Sequence, residues 1–121
     1  MPVPILNQGQ MLIVSMQASM SDLDLVQLKD DLADRVGRFR SSGVVIDVSA
    51  LDVMDSFATR TLRGIAHTTK LRGAETVIVG IQPEVAFAMV QLGLTLDDVG
   101  TALDLEEGLA LATARKAEAR L

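Results

Sequence analysis

The chain has 121 residues, 49% of them hydrophobic and 22% charged, the composition of one folded domain and not of a disordered segment. Sixteen acidic residues against eleven basic ones leave a formal charge of −5, the wrong sign for neutralising nucleic-acid phosphates. The lack of cysteine and the single histidine, His67, exclude disulfides and thiolate chemistry and leave little for an imidazole metal site or a catalytic triad.

No apolar run approaches the roughly 20 residues of a membrane-spanning helix. The start, MPVPILNQGQ, lacks the basic region of a secretion signal, so the expected location is the cytoplasm, without membrane contact. The only aromatics are three phenylalanines, too few for a platform that stacks single-stranded bases.

The chain reads as alternating strands and helices in a single domain, residues 1–121. Val3 to Leu6 is a short extended piece, the Asn7-Gln8-Gly9 segment is a turn, and Met11 to about Gln17 returns as a strand to make a hairpin. Ser21 opens a helix, and Asp24 three residues later completes a capping-box spacing. Leu25, Leu28, Leu32, Val36 and Phe39 fall on one face at helical spacing, and the helix stops at Ser41-Ser42-Gly43. Val44 to Val48 is a β-branched run, the signature of a strand covered on both faces. A second helix is expected from about Phe57 to Arg72, with Gly73 at its C′ position. Thr76 to Gly80 is another buried strand, and Pro83 starts a short helix that runs to Leu92 and stops at Gly93. Leu94 to Val99 holds a short strand or turn, and Asp104 caps a last helix through Leu109, Leu111 and Ala112. Strand and helix alternating at this spacing predict parallel pairing with helices packed on a sheet. The hairpin makes that sheet mixed: four or five strands with about four helices.

In such sheets function gathers beyond the carboxyl ends of the strands. Asp47 to Ser56 lies there, with Asp47, Asp52 and Asp55 beside Ser56 at a helix start. Four readings compete. Ser56 is an N-cap and Asp55 complements the helix dipole. Alternatively, Ser56 is a phosphorylation switch: a helix N-terminus tolerates a phosphate, which adds about −1.5 to −2 charge beside two carboxylates. A receiver-like aspartyl-phosphate or metal site needs an acidic pair after the first parallel strand, where this chain has Ala18-Ser19-Met20. Hydrolysis by Ser56 lacks a nucleophile elbow, and His67 is about 16 Å further along the same helix. Gly80-Ile81-Gln82-Pro83-Glu84 is a tight turn without the pattern of a phosphate loop.

Val44-Val45-Ile46-Asp47-Val48, then Asp55-Ser56 opening a helix, then Lys70-Leu71-Arg72-Gly73-Ala74 turning into a buried strand, resemble a STAS domain, the fold of bacterial anti-sigma-factor antagonists. Asp55-Ser56-Phe57-Ala58-Thr59 departs from the Asp-Ser-Ser-Gly-Leu of antagonists that bind anti-sigma kinases directly. Gly80-Ile81-Gln82-Pro83-Glu84-Val85-Ala86, Leu92-Gly93-Leu94 and Thr101 to Leu109 resemble stressosome proteins instead. With no sensor domain in front, the small single-domain RsbS type is expected.

The resemblance implies a non-enzymatic α/β STAS scaffold in a large assembly with sensor-bearing STAS paralogues. It implies a serine kinase of the switch-protein class, held by the assembly and released on phosphorylation, and a phosphatase that resets the site. The matching phosphoacceptor is Ser56, with Asp52, Asp55, Thr59 and Arg60 as partner-binding neighbours. A second phosphorylatable threonine of some paralogues has no counterpart, since no Ser or Thr lies between Ile81 and Gly93. No cofactor or metal is expected, and a homodimer is allowed. The alternative is a stand-alone antagonist of one anti-sigma kinase.

Overall fold

The computed structural model describes residues 3–93 and 99–119. Two strands, β1 (Ile5–Gln8) and β2 (Met11–Ser15), form an antiparallel hairpin whose turn places Gly9 at φ 61. Helix α1 (Asp22–Phe39) leads to β3 (Gly43–Asp47), helix α2 (Ser56–Leu71) to β4 (Glu75–Val79), and helix α3 (Pro83–Gln91) to β5 (Gly100–Ala102), before helix α4 (Leu105–Ala119). The sheet order is β1-β2-β3-β4-β5, and every neighbour pair after the hairpin is parallel. The expected mixed sheet with four helices is therefore the fold. The expected piece at Leu94 to Val99 falls mostly on residues 94–98, outside the described residues. The described strand lies just beyond it.

The period of two along the strands sorts the core into two layers. Val44, Ile46 and Val48 face α1, α2 and α3, together with Leu25, Leu28, Leu32, Leu62, Ile65, Val85 and Met89. Val45, Val77 and Val79 face α4 with Met11 and Ala112. The second layer is thin because its helix lies close. A Cβ on Gly108 would come within 2.4 Å of Val79 Cγ1, and one on Gly43 within 3.2 Å of Ala112 Cβ. Two buried threonines pair within the fold: the Thr69 and Thr76 hydroxyls are 2.9 Å apart, and Thr69 also donates to the Ile65 carbonyl.

Helix α4 packs on β3, β4 and β5. Beside it, a hollow of about 690 Å³ is lined by Leu6 and Ile13 of the hairpin, Met20, and Leu105 at the start of α4. Leu6 is 62% exposed there. Phe39, expected on the buried face of α1, sits in the last turn and is 49% exposed.

Because β2 to β5 run in parallel, the helices start at the carboxyl ends of the strands and finish at the amino ends. The two ends of the molecule consequently differ in charge. Asp22, Asp24, Glu84, Glu106 and Glu107 occupy first turns, and Arg38, Lys70 and Lys116 occupy last turns. Each sign complements the partial charge of its helix end.

Candidate functional site

The segment between β3 and α2 is fixed from several sides. The Asp47 carboxylate accepts from the Ser49 amide at 2.9 Å, and the Gln82 side chain donates to the Ser49 carbonyl at 2.8 Å. Gly80, at φ 75, passes so close that a Cβ would lie 2.8 Å from Ser49 Cβ. Only glycine accepts that backbone and that contact together. Leu51 and Met54 are buried and anchor the segment, while Asp52 and Val53 point outward.

At its end, Asp55 is the N-cap of α2, with extended backbone, and its Oδ1 accepts from the Ala58 amide at 2.8 Å. This corrects the reading in which Ser56 caps the helix. Ser56 is the first helical residue, and it is exposed. Its hydroxyl makes no hydrogen bond among the described residues. The amides of Ser56 and Phe57 lie in the first turn, where no helical acceptor reaches them, so the positive end of the helix faces this hydroxyl.

The remaining expected site residues divide. Asp52 and Arg60 are exposed, and Arg60 lies four residues beyond Ser56, one turn along the same face. Thr59 is a correction: it is 1% exposed, and its hydroxyl donates to the Asp55 carbonyl at 3.0 Å. It braces the cap from inside and offers no side-chain surface to a partner. His67 is exposed and eleven residues from Ser56 in the same helix, so the pair has no hydrogen-bonding geometry. No group of three potential metal ligands occurs among the described residues. No helix among them is long and apolar enough to cross a membrane.

Exposed serine, capping aspartate and a second aspartate at the carboxyl edge of a mixed sheet are one arrangement, and its frame matches a known family model, the STAS domain, over residues 3–108. The chain belongs to the STAS family. A serine-to-glutamate variant of RsbS from Moorella thermoacetica is 35% identical, with a TM-score of 0.85 and 98% of each chain covered. A chain from a structure described as the molecular architecture of the stressosome, a signal integration and transduction hub, is 36% identical, with a TM-score of 0.82 over 92% of this chain and 96% of that one. Among curated proteins, the RsbT co-antagonist protein RsbRD of Bacillus subtilis is 32% identical over 67% of this STAS chain. The co-antagonist RsbRA of the same organism is 30% identical over 71%. The matched stretch spans only 29% and 31% of those two proteins.

Proposed function

We propose that this STAS domain is a non-enzymatic phospho-switch scaffold of a bacterial stressosome. It holds a serine kinase of the switch-protein class and releases it when Ser56 is phosphorylated, so regulating the general stress response. One observation carries the reading: Ser56 is exposed and unspent at the first position of α2, because Asp55 does the capping. Likeness to RsbS and to a stressosome chain supports the scaffold role, and two relatives named as RsbT co-antagonists support antagonism of an RsbT-like partner.

The proposed chemistry is electrostatic. A phosphate on Ser56 sits over the open first-turn amides, where the helix itself accepts it. Toward a partner it adds about −1.5 to −2 charge next to Asp52 and Asp55. About 1.4 kcal/mol of added repulsion weakens a contact tenfold. Asp52, Asp55 and Arg60 form the rim that the kinase contacts. The larger partners are sensor-bearing STAS paralogues that co-assemble with this chain in the cytoplasm, and a phosphatase returns Ser56 to its hydroxyl form.

The test is phosphosite mapping of the chain incubated with ATP and a purified switch-class kinase. Phosphate is expected on Ser56 and is lost in Ser56→Ala. Phosphate elsewhere, or none with a kinase active on another STAS substrate, overturns the reading.

A further inference from the structure

The face of the sheet that carries α4 is only partly covered. Helix α4 packs on β3, β4 and β5, which leaves most of that face of β1 and β2 open. The strand register puts two short rows of side chains there. Leu6 pairs with Ile13 and Ile13 with Val45, while Ser15 pairs with Asp47. Paired residues point to the same face of a sheet, and Val45 lies under α4. Leu6 and Ile13 therefore stand on the α4 side, and so do Ser15 and Asp47, two residues further along. The hollow of about 690 Å³ between the hairpin and the start of α4 is the result. Small-molecule sites span roughly 300–1,000 Å³.

Its lining is of two kinds. Leu6 and Ile13 form an apolar floor, with Met20 and Leu105 beside it. Leu105, like Leu6, is left exposed, so an apolar occupant gains from covering both. The polar lining gathers at the carboxyl ends of β2 and β3, at Ser15 and Asp47. Among the described residues, no lysine, arginine or histidine lines the hollow, so its charge has one sign. Asp24 also borders it, with its carboxylate engaged by the Ser21 amide. Asp47 is the better placed acceptor. Its Oδ1 accepts from the Ser49 amide, and its Oδ2 accepts no hydrogen bond among the described residues. A carboxylate has room for about four donors.

We infer that this hollow binds a small amphipathic amine. The alkyl or aryl body lies on Leu6, Ile13 and Leu105, and the ammonium group donates to the Asp47 carboxylate and the Ser15 hydroxyl. An anionic head of the same size is repelled by the carboxylate, and a neutral one forgoes a charge-assisted hydrogen bond. The site lies beyond the Ser56 reading and does not depend on it. Asp47 also holds Ser49, near the head of the segment that ends at Asp55 and Ser56. An occupant shares that carboxylate with Ser49, and so touches the segment from behind.

Titration of the whole chain with n-octylamine, followed by amide chemical shifts, tests it. The amine is protonated at neutral pH, as that of lysine is, and octanoate and 1-octanol are the controls of equal length. Saturable shifts are expected at Leu6, Ile13, Ser15, Asp47 and Ser49, with octanoate binding at least tenfold more weakly. Shortening the probe to hexylamine weakens binding about threefold or more, because the body is buried. Asp47→Asn weakens the amine about tenfold and leaves 1-octanol unchanged. The asparagine oxygen still accepts from the Ser49 amide, so the segment keeps its contact, and the amide spectrum checks the fold. Leu6→Gln, at an exposed position, weakens amine and alcohol alike. No saturable shift at millimolar amine overturns the inference, and so do shifts confined to other parts of the chain. Octanoate binding as tightly as the amine, or an amine indifferent to Asp47→Asn, means an adventitious additive only and overturns it too. Shifts at these amides that appear on concentrating the chain without amine mean that a second copy covers the hollow, and this removes the site. Since neither kinase nor ATP is present, failure here is separate from failure at Ser56.

Discussion

Two helices of this domain begin with serine and aspartate in exchanged roles. At α1, Ser21 is the cap: its hydroxyl accepts from the Asp24 amide at 3.1 Å, and the Asp24 carboxylate accepts from the Ser21 amide at 3.0 Å. At α2, Asp55 is the cap and Ser56 stands one position inside the helix with its hydroxyl uncommitted. The first serine is consumed by folding. The second is not, which is the condition for a residue that changes chemically while the domain keeps its shape.

The sharpest way to break this comparison is functional. Ser56→Asp is expected to weaken kinase retention at least tenfold, and Ser56→Ala to hold the kinase as the unmodified chain does, both read by pull-down with purified kinase. Equal retention by both variants removes Ser56 from the switch. The next effect is on stability. Asp55→Ala should lower the unfolding free energy by about 1–2 kcal/mol in urea, whereas Ser56→Ala stays within about 0.5 kcal/mol. An equal cost at both positions means that α2 is capped by both.

Ser21→Ala should cost about 1 kcal/mol, the ordinary value of a lost serine cap. This makes the two serines unequal in the same urea series. The smallest effect concerns Asp24. Hydrogen bonds from the Ser21 amide and then the Ser21 hydroxyl hold its carboxyl below the ordinary 3.8. A lowered folded-state pKa stabilises the fold above the ordinary value, and that stabilisation disappears as pH falls through the folded value. The stability gap between the chain and Asp24→Asn should therefore be full at neutral pH and shrink below about pH 4. Urea titrations across that range read it.

The sequence exposes most of this architecture, because β-branched runs and a continuous stripe from Leu25 to Val36 leave few alternatives. What it hides has identifiable causes. Aspartate and serine are nearly equal as caps, so adjacent Asp55 and Ser56 leave the frame of α2 open by one residue. The frame is decided by which side chains turn inward: Thr59, Leu62, Ala66 and Thr69 do so. Thr59 reads as surface because it is polar. In a helix a threonine satisfies its own hydroxyl on the carbonyl four residues back, and can then be buried. Strand β5 has three residues and, among the described residues, pairs only with β4, too little for a pattern of two to register. The charge separation between the poles is likewise spread along the sequence, and only parallel topology gathers it.

The partial cover given by α4 has a kinetic consequence. Strands β3 and β4 pair on both edges and are closed on both faces by helices, so their amides open only when the whole domain unfolds. The hairpin has one free edge at β1, and the hollow beside α4 adjoins its outer face. The three-residue β5 is the other margin. Deuterium should therefore enter at β1 and β5 before it reaches the two central strands. The domain loosens from its margins inward, with its switch helix anchored on the strands that yield last.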